Sequence, residues 1–493
     1  MLTRLIILIF LLGLVPTVDA ATITAASCNK ADVRAAIKAT ANSGDTVLIP
    51  PGTCRWTGSG SDGGLGIYCD AASLGYDNTF CRNGSTTRGD TKQLTIKGAG
   101  IGQTIIYDDI AKNADPPALI NWQTNPGGLS RISGIEFRTG TYTVPCPGDN
   151  IGLVMIFGNT NQFRLDNSKF ISNTGGCVPF VMGRSSGNSY LRGVIDHNVI
   201  DCSRVGSTCV TFFNGASWGD VGCCGDNSWA VADTVGTAEA LFIEDNVFIN
   251  DQSVMKTGLF CVDGWAGFRI VMRNNNIRAC SIGGHGTDSA GSSARGLRQL
   301  EFYNNTFTGP DGGPWNMGGA AMSSVMSARS GVAVVFNNTI SVTNGNVLYA
   351  FDGSNFRDFQ PFAPWGQCNG SSPYDQNVSG AGYRCIDQVG AGYGQLMQTG
   401  GTSPINTATG TAKWPNQVAQ PGYVWNNTMN GAPLGANGTT KNVVVGRDLI
   451  NGPRPFMADG VTPYKPYTYP HPLVTGGGGD TAAPAPPTGL KVS

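Results

Sequence analysis

Residues 195–200 read IDHNVI, and this pattern, a short strand that ends in a turn with asparagine in the fourth place, recurs along the chain. The other copies are IEDNVF at 243–248, MRNNNI at 272–277, FYNNTF at 302–307, VFNNTI at 335–340 and VWNNTM at 424–429, with LDNSKF at 165–170 as a serine variant. The asparagines at 198, 246, 275, 305 and 338 are 48, 29, 30 and 33 residues apart, and the next, Asn427, follows after 89. A period near 30 with no helical pattern inside it predicts a solenoid whose coils are made of short strands.

The recurrent asparagine suits such a coil for two physical reasons. Its amide can stack on the amide of the next coil, about 4.8 Å away, and Asn tolerates the left-handed backbone of a tight turn. The 48-residue gap predicts an inserted loop, for which residues 215–225 are the candidate, and the 89-residue gap corresponds to about three periods.

Alternation along each strand predicts which charged residues share the outer face of the solenoid. The same outward place is held in successive coils by Asp166, Asp196, Glu244, Arg273, Tyr303 and Phe336. Glu301 lies two residues before Tyr303 and also points outward. Neighbouring carboxylates repel, which raises the pKa of one of them, and a sugar-cleaving site needs one protonated acid beside one ionised base. A solvated charged face is the alternative for the same residues.

A second candidate site lies between residues 261 and 301. Asp263 and Trp265 occur in a glycine-rich stretch, and His285 stands between Gly284 and Gly286 with Asp288 close behind. We expect His285 to lie on an accessible turn, where it can carry a proton near neutral pH; a structural hydrogen bond in a tight turn is the alternative. Guanidinium groups bind carboxylates in bidentate fashion and tryptophan can stack on sugar rings, so the candidate substrate-binding residues are Arg269, Arg273, Arg295, Arg298 and Trp265.

Composition excludes several classes of protein. The 493 residues contain 32 basic and 33 acidic side chains, a net charge of -1, which does not provide the basic surface that a nucleic-acid partner requires. A hydrophobic content of 40% is enough for a core and excludes wholesale disorder.

The first twenty residues predict export. Arg4 precedes the apolar run 5–15, which is too short to span a bilayer, and Val18 and Ala20 offer small residues for cleavage, so residues 1–20 are expected to be a signal peptide. Elsewhere no apolar run suggests a transmembrane segment. We therefore expect a secreted protein, extracellular or periplasmic, acting as a monomer.

The 14 cysteines indicate disulfides in an oxidising compartment, since CxxC pairs are absent and three histidines are few for zinc. Their connectivity is not determined by the sequence. Cysteines that lie near one another along the chain are 28 and 54, 69 and 81, 202 and 209, 261 and 280, and 368 and 385.

One amphipathic helix is predicted near residue 33, followed by a strand that ends in Pro50-Pro51-Gly52. Because a single amphipathic helix needs an apolar surface, we expect it to cap the solenoid. The predicted organisation is a signal peptide at 1–20, the solenoid at 21–452, a Pro/Tyr-rich segment at 453–475 that lies along the solenoid, and a flexible linker or tail at 476–493.

The helix, the strand with its Pro-Pro-Gly turn, LTIKG at 94–98 and the asparagine repeats together resemble the pectate-lyase-like superfamily. The resemblance covers about residues 25–450. It implies an all-β fold, a single-stranded right-handed parallel β-helix, with an N-terminal capping helix. Gly284-His285-Gly286 is similar to a motif of the polygalacturonase-type glycosidases of this superfamily. Those enzymes also have an Asn-Thr-Asp motif and an Asp-Asp pair, neither of which we place in this chain.

These features lead to one functional expectation and two alternatives. The expectation is a secreted enzyme that binds a polysaccharide and hydrolyses it, with Glu244, Asp263, Asp288 and Glu301 as carboxylates and His285 moving a proton. The first alternative is a lyase that cleaves a uronic-acid polymer by β-elimination, with Arg273, His285 or Lys256 as base and carboxylates that hold Ca²⁺. The second is a non-catalytic adhesive protein, favoured by the Gly/Pro linker.

Overall fold

A computed structural model gives the fold. It describes residues 20–41, 43–59, 63–69, 80–82, 85, 90–111, 118–140, 152–172, 180–185, 191–205, 208–214, 228–229, 231–250, 260–287, 295–309, 316–317, 320–321, 324–343, 347–362, 366–371, 375, 385–393, 405–406, 411–412, 418–440 and 442–476. Residues 1–19 of the predicted signal peptide, Lys256, Asp288 and the tail beyond Gly476 fall outside this described part.

Three long sheets contain nearly all the strands of the described residues, numbered here in chain order. Sheet 1 consists of β1 (Thr22–Thr24), β2 (Thr46–Ile49), β5 (Thr95–Gly98), β8 (Ser130–Ser133), β11 (Phe163–Asp166), β14 (Gly193–Asp196), β17 (Leu241–Glu244), β20 (Arg269–Arg273), β23 (Gln299–Tyr303), β28 (Val332–Phe336), β33 (Gly422–Trp425) and β37 (Leu449–Asn451).

Sheet 2 follows sheet 1 around each coil. It consists of β3 (Gly52–Gly58), β6 (Thr104–Ile110), β9 (Glu136–Thr139), β12 (Lys169–Ile171), β15 (Val199–Asp201), β18 (Val247–Ile249), β21 (Asn276–Arg278), β24 (Thr306–Thr308), β29 (Thr339–Ser341), β34 (Asn427–Met429) and β35 (Ala432–Leu434).

Sheet 3 completes the coil. It consists of β4 (Leu65–Ile67), β7 (Ile120–Thr124), β10 (Val154–Gly158), β13 (Val181–Ser185), β16 (Thr208–Asn214), β19 (Phe260–Gly264), β22 (Ser281–Gly284), β27 (Ser324–Ala328), β30 (Tyr349–Gly353) and β36 (Ala436–Gly438). Two short hairpins lie outside the sheets, β25 (Asn316–Met317) with β26 (Ala320–Ala321) and β31 (Ile405–Asn406) with β32 (Thr411–Ala412).

The chain visits the three sheets in turn, and strands of successive coils pair in parallel, as β14 does with β17; the antiparallel pair β34–β35 ends sheet 2. This is the right-handed parallel β-helix that the resemblance implied, and parallel crossovers take the right-handed sense. Inward side chains from all three sheets form one apolar core along the axis. Among the described residues no helix is both long and apolar enough to cross a membrane.

Helices α1 (Lys30–Ala39) and α2 (Pro472–Gly476) accompany the sheets. Helix α1 buries Val33, Ala36 and Ile37, and it contacts β1 and β2 at the N-terminal end of sheet 1. Its apolar stripe is the one that the sequence pattern indicated.

The predicted asparagine ladder runs along the turn between sheets 1 and 2. The amide nitrogen Nδ2 of Asn246 donates to Oδ1 of Asn275 at 3.1 Å, and Asn275 donates in the same way to Asn305 at 2.9 Å. The same oxygens accept the backbone N–H of the preceding coil, so each amide satisfies several buried groups. The ladder extends to Asn198, Asn338 and Asn427. Ser168 takes the equivalent place at one end, and its backbone N–H donates to Oδ1 of Asn198.

The left-handed residue of each turn is the one before the ladder position, not the ladder asparagine itself. Positive φ angles near 55° occur at His197, Asp245, Asn274, Asn304 and Asn337. Asn, Asp and His tolerate this conformation better than most residues. The Asn-Asn doublets therefore combine two roles, a turn residue followed by a ladder residue.

The two irregular gaps have the same cause, an insertion into a single coil. Asn198 bonds directly to Asn246, which confirms the insertion between them; its predicted loop, 215–225, lies outside the described residues. The prediction of about three periods after Asn338 was wrong. β28 pairs directly with β33, so the 89 residues form one coil with a long excursion after β30.

Five disulfides occur among the described residues, and they join cysteines that are near in sequence: Cys28–Cys54, Cys69–Cys81, Cys202–Cys209, Cys261–Cys280 and Cys368–Cys385. The remaining cysteines, Cys146, Cys177, Cys223 and Cys224, lie outside the described part.

The asparagine ladder predicts that two substitutions of Asn275 differ in their effect on stability. Asn275→Ala removes the donor to Ile243, Arg273 and Asn305 and leaves buried groups unpaired, so we expect the free energy of unfolding to fall by about 3 to 5 kcal/mol. Asn275→Ser keeps a hydroxyl that can bond locally, as Ser168 does with the carbonyl of Asp166, and should lose about half as much. Urea denaturation measures both variants; an alanine variant as stable as the wild type would contradict the ladder's role.

Candidate active site

The outward row of sheet 1 has the register that alternation predicted. Asp196 pairs with Glu244, Glu244 with Arg273, and Arg273 with Tyr303 on successive strands. Glu301 lies opposite Val271, one coil beyond Arg273 and on the same outer face. The residues predicted to come together from distant positions do so.

This face is not open, however, and the expectation of an accessible site on it was wrong. The C-terminal segment, residues 453–476, lies over it: the backbone N–H of His471 donates to Glu244 at 2.8 Å, and Tyr464 donates its hydroxyl to Glu301 at 3.0 Å. Arg273 donates to the backbone carbonyls of Tyr467 and Thr468. The side chains of Glu244, Arg273 and Glu301 are buried as a result.

The other predicted arginines are buried as well, and they bind protein groups. Arg269 donates to Ser228 and Thr234, and Arg298 donates to the carbonyl of Val231 and to Gln420. Arg295 holds Asp387 through Nε and Nη2. These three arginines anchor excursions of the chain against the solenoid, and they do not line an open groove.

Burial, rather than repulsion between neighbouring acids, is the main cause of the altered acidity on this face. Burial raises the pKa of Glu301 to about 7, although the N–H of Gly236 and the hydroxyl of Tyr464 act in the opposite direction. Burial also raises the pKa of Glu244, against the lowering effect of Arg273. Burial lowers the pKa of His471, above them, to about 4.

The second predicted cluster does come together on a surface, the outer face of sheet 3. Nδ1 of His285 lies at an ion-pair distance of 2.5 Å from Oδ2 of Asp263; this nitrogen is buried, and the contact does not have the geometry of a hydrogen bond. The Asp263 side chain is 2% exposed and accepts the N–H of Gly264, whereas the His285 side chain remains 24% exposed. Because Nδ1 faces the carboxylate, Nε2 is the ring nitrogen left to face the solvent.

Two aromatic rings hold the imidazole edge-on. Phe260 and Trp265 stand at 79° and 82° to the ring of His285, with centroids 6.0 and 5.8 Å away. The predicted residue Trp265 therefore belongs to this site, and Phe260 is a neighbour that sequence reasoning missed.

The backbone of His285 is fixed on both sides. Its N–H donates to Gly264, and its carbonyl accepts from Leu297 and from the hydroxyl of Ser330. Gly283, two residues before His285, has a steric role, because a Cβ there would lie 2.7 Å from the ring of Phe260.

Arg329 is a further residue of this face that sequence reasoning missed. Its backbone N–H donates to Gly284 at 2.8 Å, and Gly284 pairs with Ala328, so Arg329 lies beside His285 on the next coil. A signal was present: Trp265, His285 and Arg329 each directly follow a strand of sheet 3. Asp288, the remaining predicted acid, lies outside the described residues.

Three outward carboxylates of sheet 1 are paired with arginines. Glu244 pairs with Arg273, and Asp166 and Asp196 pair with Arg131 and Arg164. The described residues offer one compact donor group, Cys368, Asp375 and Cys385, but its two sulfurs are joined in a disulfide and Arg357 holds Asp375. This set does not fit Ca²⁺, which prefers oxygen ligands.

No protein-family model matches the sequence, and no curated protein does. Among solved structures the chain is similar to the PL6 family polysaccharide lyase Pedsa3628 from Pseudopedobacter saltans, with 10% identity and a TM-score of 0.38. The alignment covers 92% of this chain and 89% of that one.

The buried acid Glu301 predicts a pH-dependent stability. With a folded pKa of about 7 against an ordinary value of 4.5, folding favours the protonated form; the stabilisation is full below about pH 4.5 and is lost as the pH rises through 7. Glu301→Gln cannot ionise, so it should gain on the order of 3 kcal/mol relative to the wild type between pH 4.5 and 8. Chemical denaturation at several pH values measures the difference, and parallel pH profiles for the two proteins would disprove it.

Proposed function

We propose that this protein is an exported polysaccharide lyase that cleaves a uronic-acid polymer by β-elimination on the outer face of sheet 3. One observation supports this above all: Nδ1 of His285 lies 2.5 Å from the buried carboxylate of Asp263, while the imidazole side chain stays 24% exposed. A histidine held in this way is a general base for a proton on a bound substrate.

β-Elimination needs a base and a positive charge that are held at fixed positions relative to each other. We place the imidazole proton on Nδ1, next to the Asp263 carboxylate, so that the lone pair of Nε2 can accept the C5 proton of a uronic acid ring. That proton becomes acidic only when the neighbouring sugar carboxylate is neutralised. Arg329, next to His285 on the adjacent coil, is the residue that we assign to this task, since guanidinium groups pair with carboxylates.

One histidine can act first as the base and then as the acid of this elimination. Nε2 takes the C5 proton, the C5–H electrons form the C4–C5 double bond, and the C4–O bond breaks with its electrons on the leaving oxygen. The imidazolium, stabilised by Asp263, then returns a proton to that oxygen. No water is consumed, and the new non-reducing end carries a conjugated double bond that absorbs ultraviolet light.

Hydrolysis, the expectation from sequence, has less support from the described part of this face. It requires two carboxyl groups roughly 5 to 9.5 Å apart around the scissile bond. Asp263 is buried under His285, and Asp352, in the same outward row, lies three strands away, or roughly 14 Å. Glu244 and Glu301 lie on sheet 1 beneath the C-terminal segment.

Export remains part of the proposal. The predicted signal peptide and the disulfides among the described residues both suit an oxidising compartment, where a polymer too large to enter a cell is found. A monomer is the expected state.

The central test is the product and its dependence on His285. The mature protein should release ultraviolet-absorbing oligosaccharides from at least one of polygalacturonate, polymannuronate or hyaluronan. His285→Ala should lower this rate by about 10²- to 10⁴-fold, and Asp263→Asn should lower it less while binding persists. Circular dichroism checks folding. New reducing ends without ultraviolet absorbance would indicate hydrolysis, and binding without cleavage would indicate an adhesive protein.

Arg329 predicts charge selectivity. Arg329→Gln should reduce kcat/KM on the uronic-acid polymer by about 5- to 30-fold, because one charge-assisted contact is lost. Arg55→Gln is a matched control, since Arg55 is an exposed arginine on sheet 2. Equal activity in both variants would remove Arg329 from the proposed site.

A further inference from the structure

We propose that Phe356 and Phe359 form a sugar-stacking subsite next to the His285–Asp263 pair, where a ring of the polymer lies with its carboxylate toward Arg329. This inference rests on the proposed function and extends it to the binding of the neighbouring sugar units. It depends on where the two rings lie, on the rigidity of the turn that displays them, and on the charge beside them.

The two rings belong to a short 3-10 turn, Phe356–Asp358, that follows β30. Phe359 closes the turn, with its N–H donating to the carbonyl of Phe356 at 3.0 Å. Side chains three residues apart eclipse one another in this geometry, so both rings lie on one side of the turn. They are strongly exposed, Phe356 at 44% and Phe359 at 67%.

The turn is anchored by a buried ion pair. Arg357, which is fully buried, binds Asp375 with both terminal nitrogens at 3.0 and 2.8 Å and donates Nε to the carbonyl of Gly366. The side chain of Asn355 caps the turn by accepting the N–H of Arg357. Two exposed phenyl rings are thus presented on a fixed backbone, which lowers the entropy lost when a ligand binds them.

The turn is contiguous with the catalytic pair. Ser354 donates its N–H to Ala328, the residue before Arg329, and the guanidinium carbon of Arg329 lies 4.4 Å from the centroid of the Phe356 ring. Because β22, β27 and β30 are successive strands of sheet 3, the turn begins about 10 Å from His285. One extended chain can therefore contact the rings, the arginine and the histidine in that order.

The chemistry of this surface favours an acidic sugar. An aromatic face attracts the C–H bonds of a pyranose ring, and an arginine beside it attracts a carboxylate on the same ring. The exposed rings next to a cation therefore match a polymer that is apolar on the faces of its sugars and negatively charged at their edges. A protein partner that docks on the two rings is the other outcome that the experiment tests.

The test measures binding apart from cleavage. In a His285→Ala background, affinity for polygalacturonate, polymannuronate and hyaluronan is measured by affinity electrophoresis, with hydroxyethylcellulose as a neutral polymer. Phe356→Ala and Phe359→Ala should each weaken binding of the preferred acidic polymer by about three- to tenfold. Phe456→Ala is the matched control, because Phe456 is also 44% exposed but lies in the C-terminal segment, and it should bind like the parent.

In the active protein, Phe356→Ala should raise KM for the polymer with little change in kcat, since the rings lie away from the proton transfer. If the parent binds and cleaves a uronic-acid polymer while the Phe356 and Phe359 variants behave like Phe456→Ala, the subsite is disproved and the proposed function stands. Equal losses on the neutral polymer would disprove the acidic specificity. If the parent binds none of the polymers, the proposed function fails, and with it the subsite, leaving the rings as a surface for a protein.

Discussion

The structure depends on the satisfaction of buried backbone groups at one corner of the coil. Where the chain passes from sheet 1 to sheet 2 it cannot continue the ladder of strand hydrogen bonds, and its N–H and carbonyl groups are turned into the protein. The stacked asparagine amides supply the missing partners: Asn275 donates to Ile243 and Arg273 and accepts the N–H of Asn246. Because each amide also bonds to the next, the corner holds successive coils in one register.

A fixed register determines what the outer faces present. On sheet 1 it aligns carboxylates with arginines, such as Glu244 with Arg273, and then aligns Tyr303, Phe336 and Trp425 as a stack of rings 4.6 and 4.3 Å apart. Such a row, left in water, would be both charged and apolar. The C-terminal segment covers the row from Glu244 onward, and the charged side chains there bind this segment to sheet 1.

The same register produces a different kind of outer face on sheet 3. Its strands are separated from the asparagine corner by excursions of variable length, and its outward row includes Gly283, where a larger residue would collide with Phe260. That gap in side-chain volume admits the ring of Phe260, which with Trp265 stands edge-on to the imidazole of His285 beside Asp263. The excursion after β30 brings Phe356 against Arg329 at the edge of the same surface.

Much of this architecture follows from the sequence alone. The fold, the coil length, the ladder and the pairing of Asp196, Glu244 and Arg273 are local consequences of a repeated six-residue motif, since a regular period leaves few ways to stack. The sequence also allowed His285 and Asp263 to be placed in one candidate site, because both stand in glycine-rich stretches of successive coils. Only the tertiary structure decided which face stays open. Whether Glu301 contacts water or Tyr464 depends on a residue 163 positions away. Arg329 lies beside His285 only because the segment between β22 and β27, whose length no motif indicates, brings the two strands into register. Periodicity specifies neighbours within the solenoid, but coverage by distant segments depends on contacts that no short motif encodes.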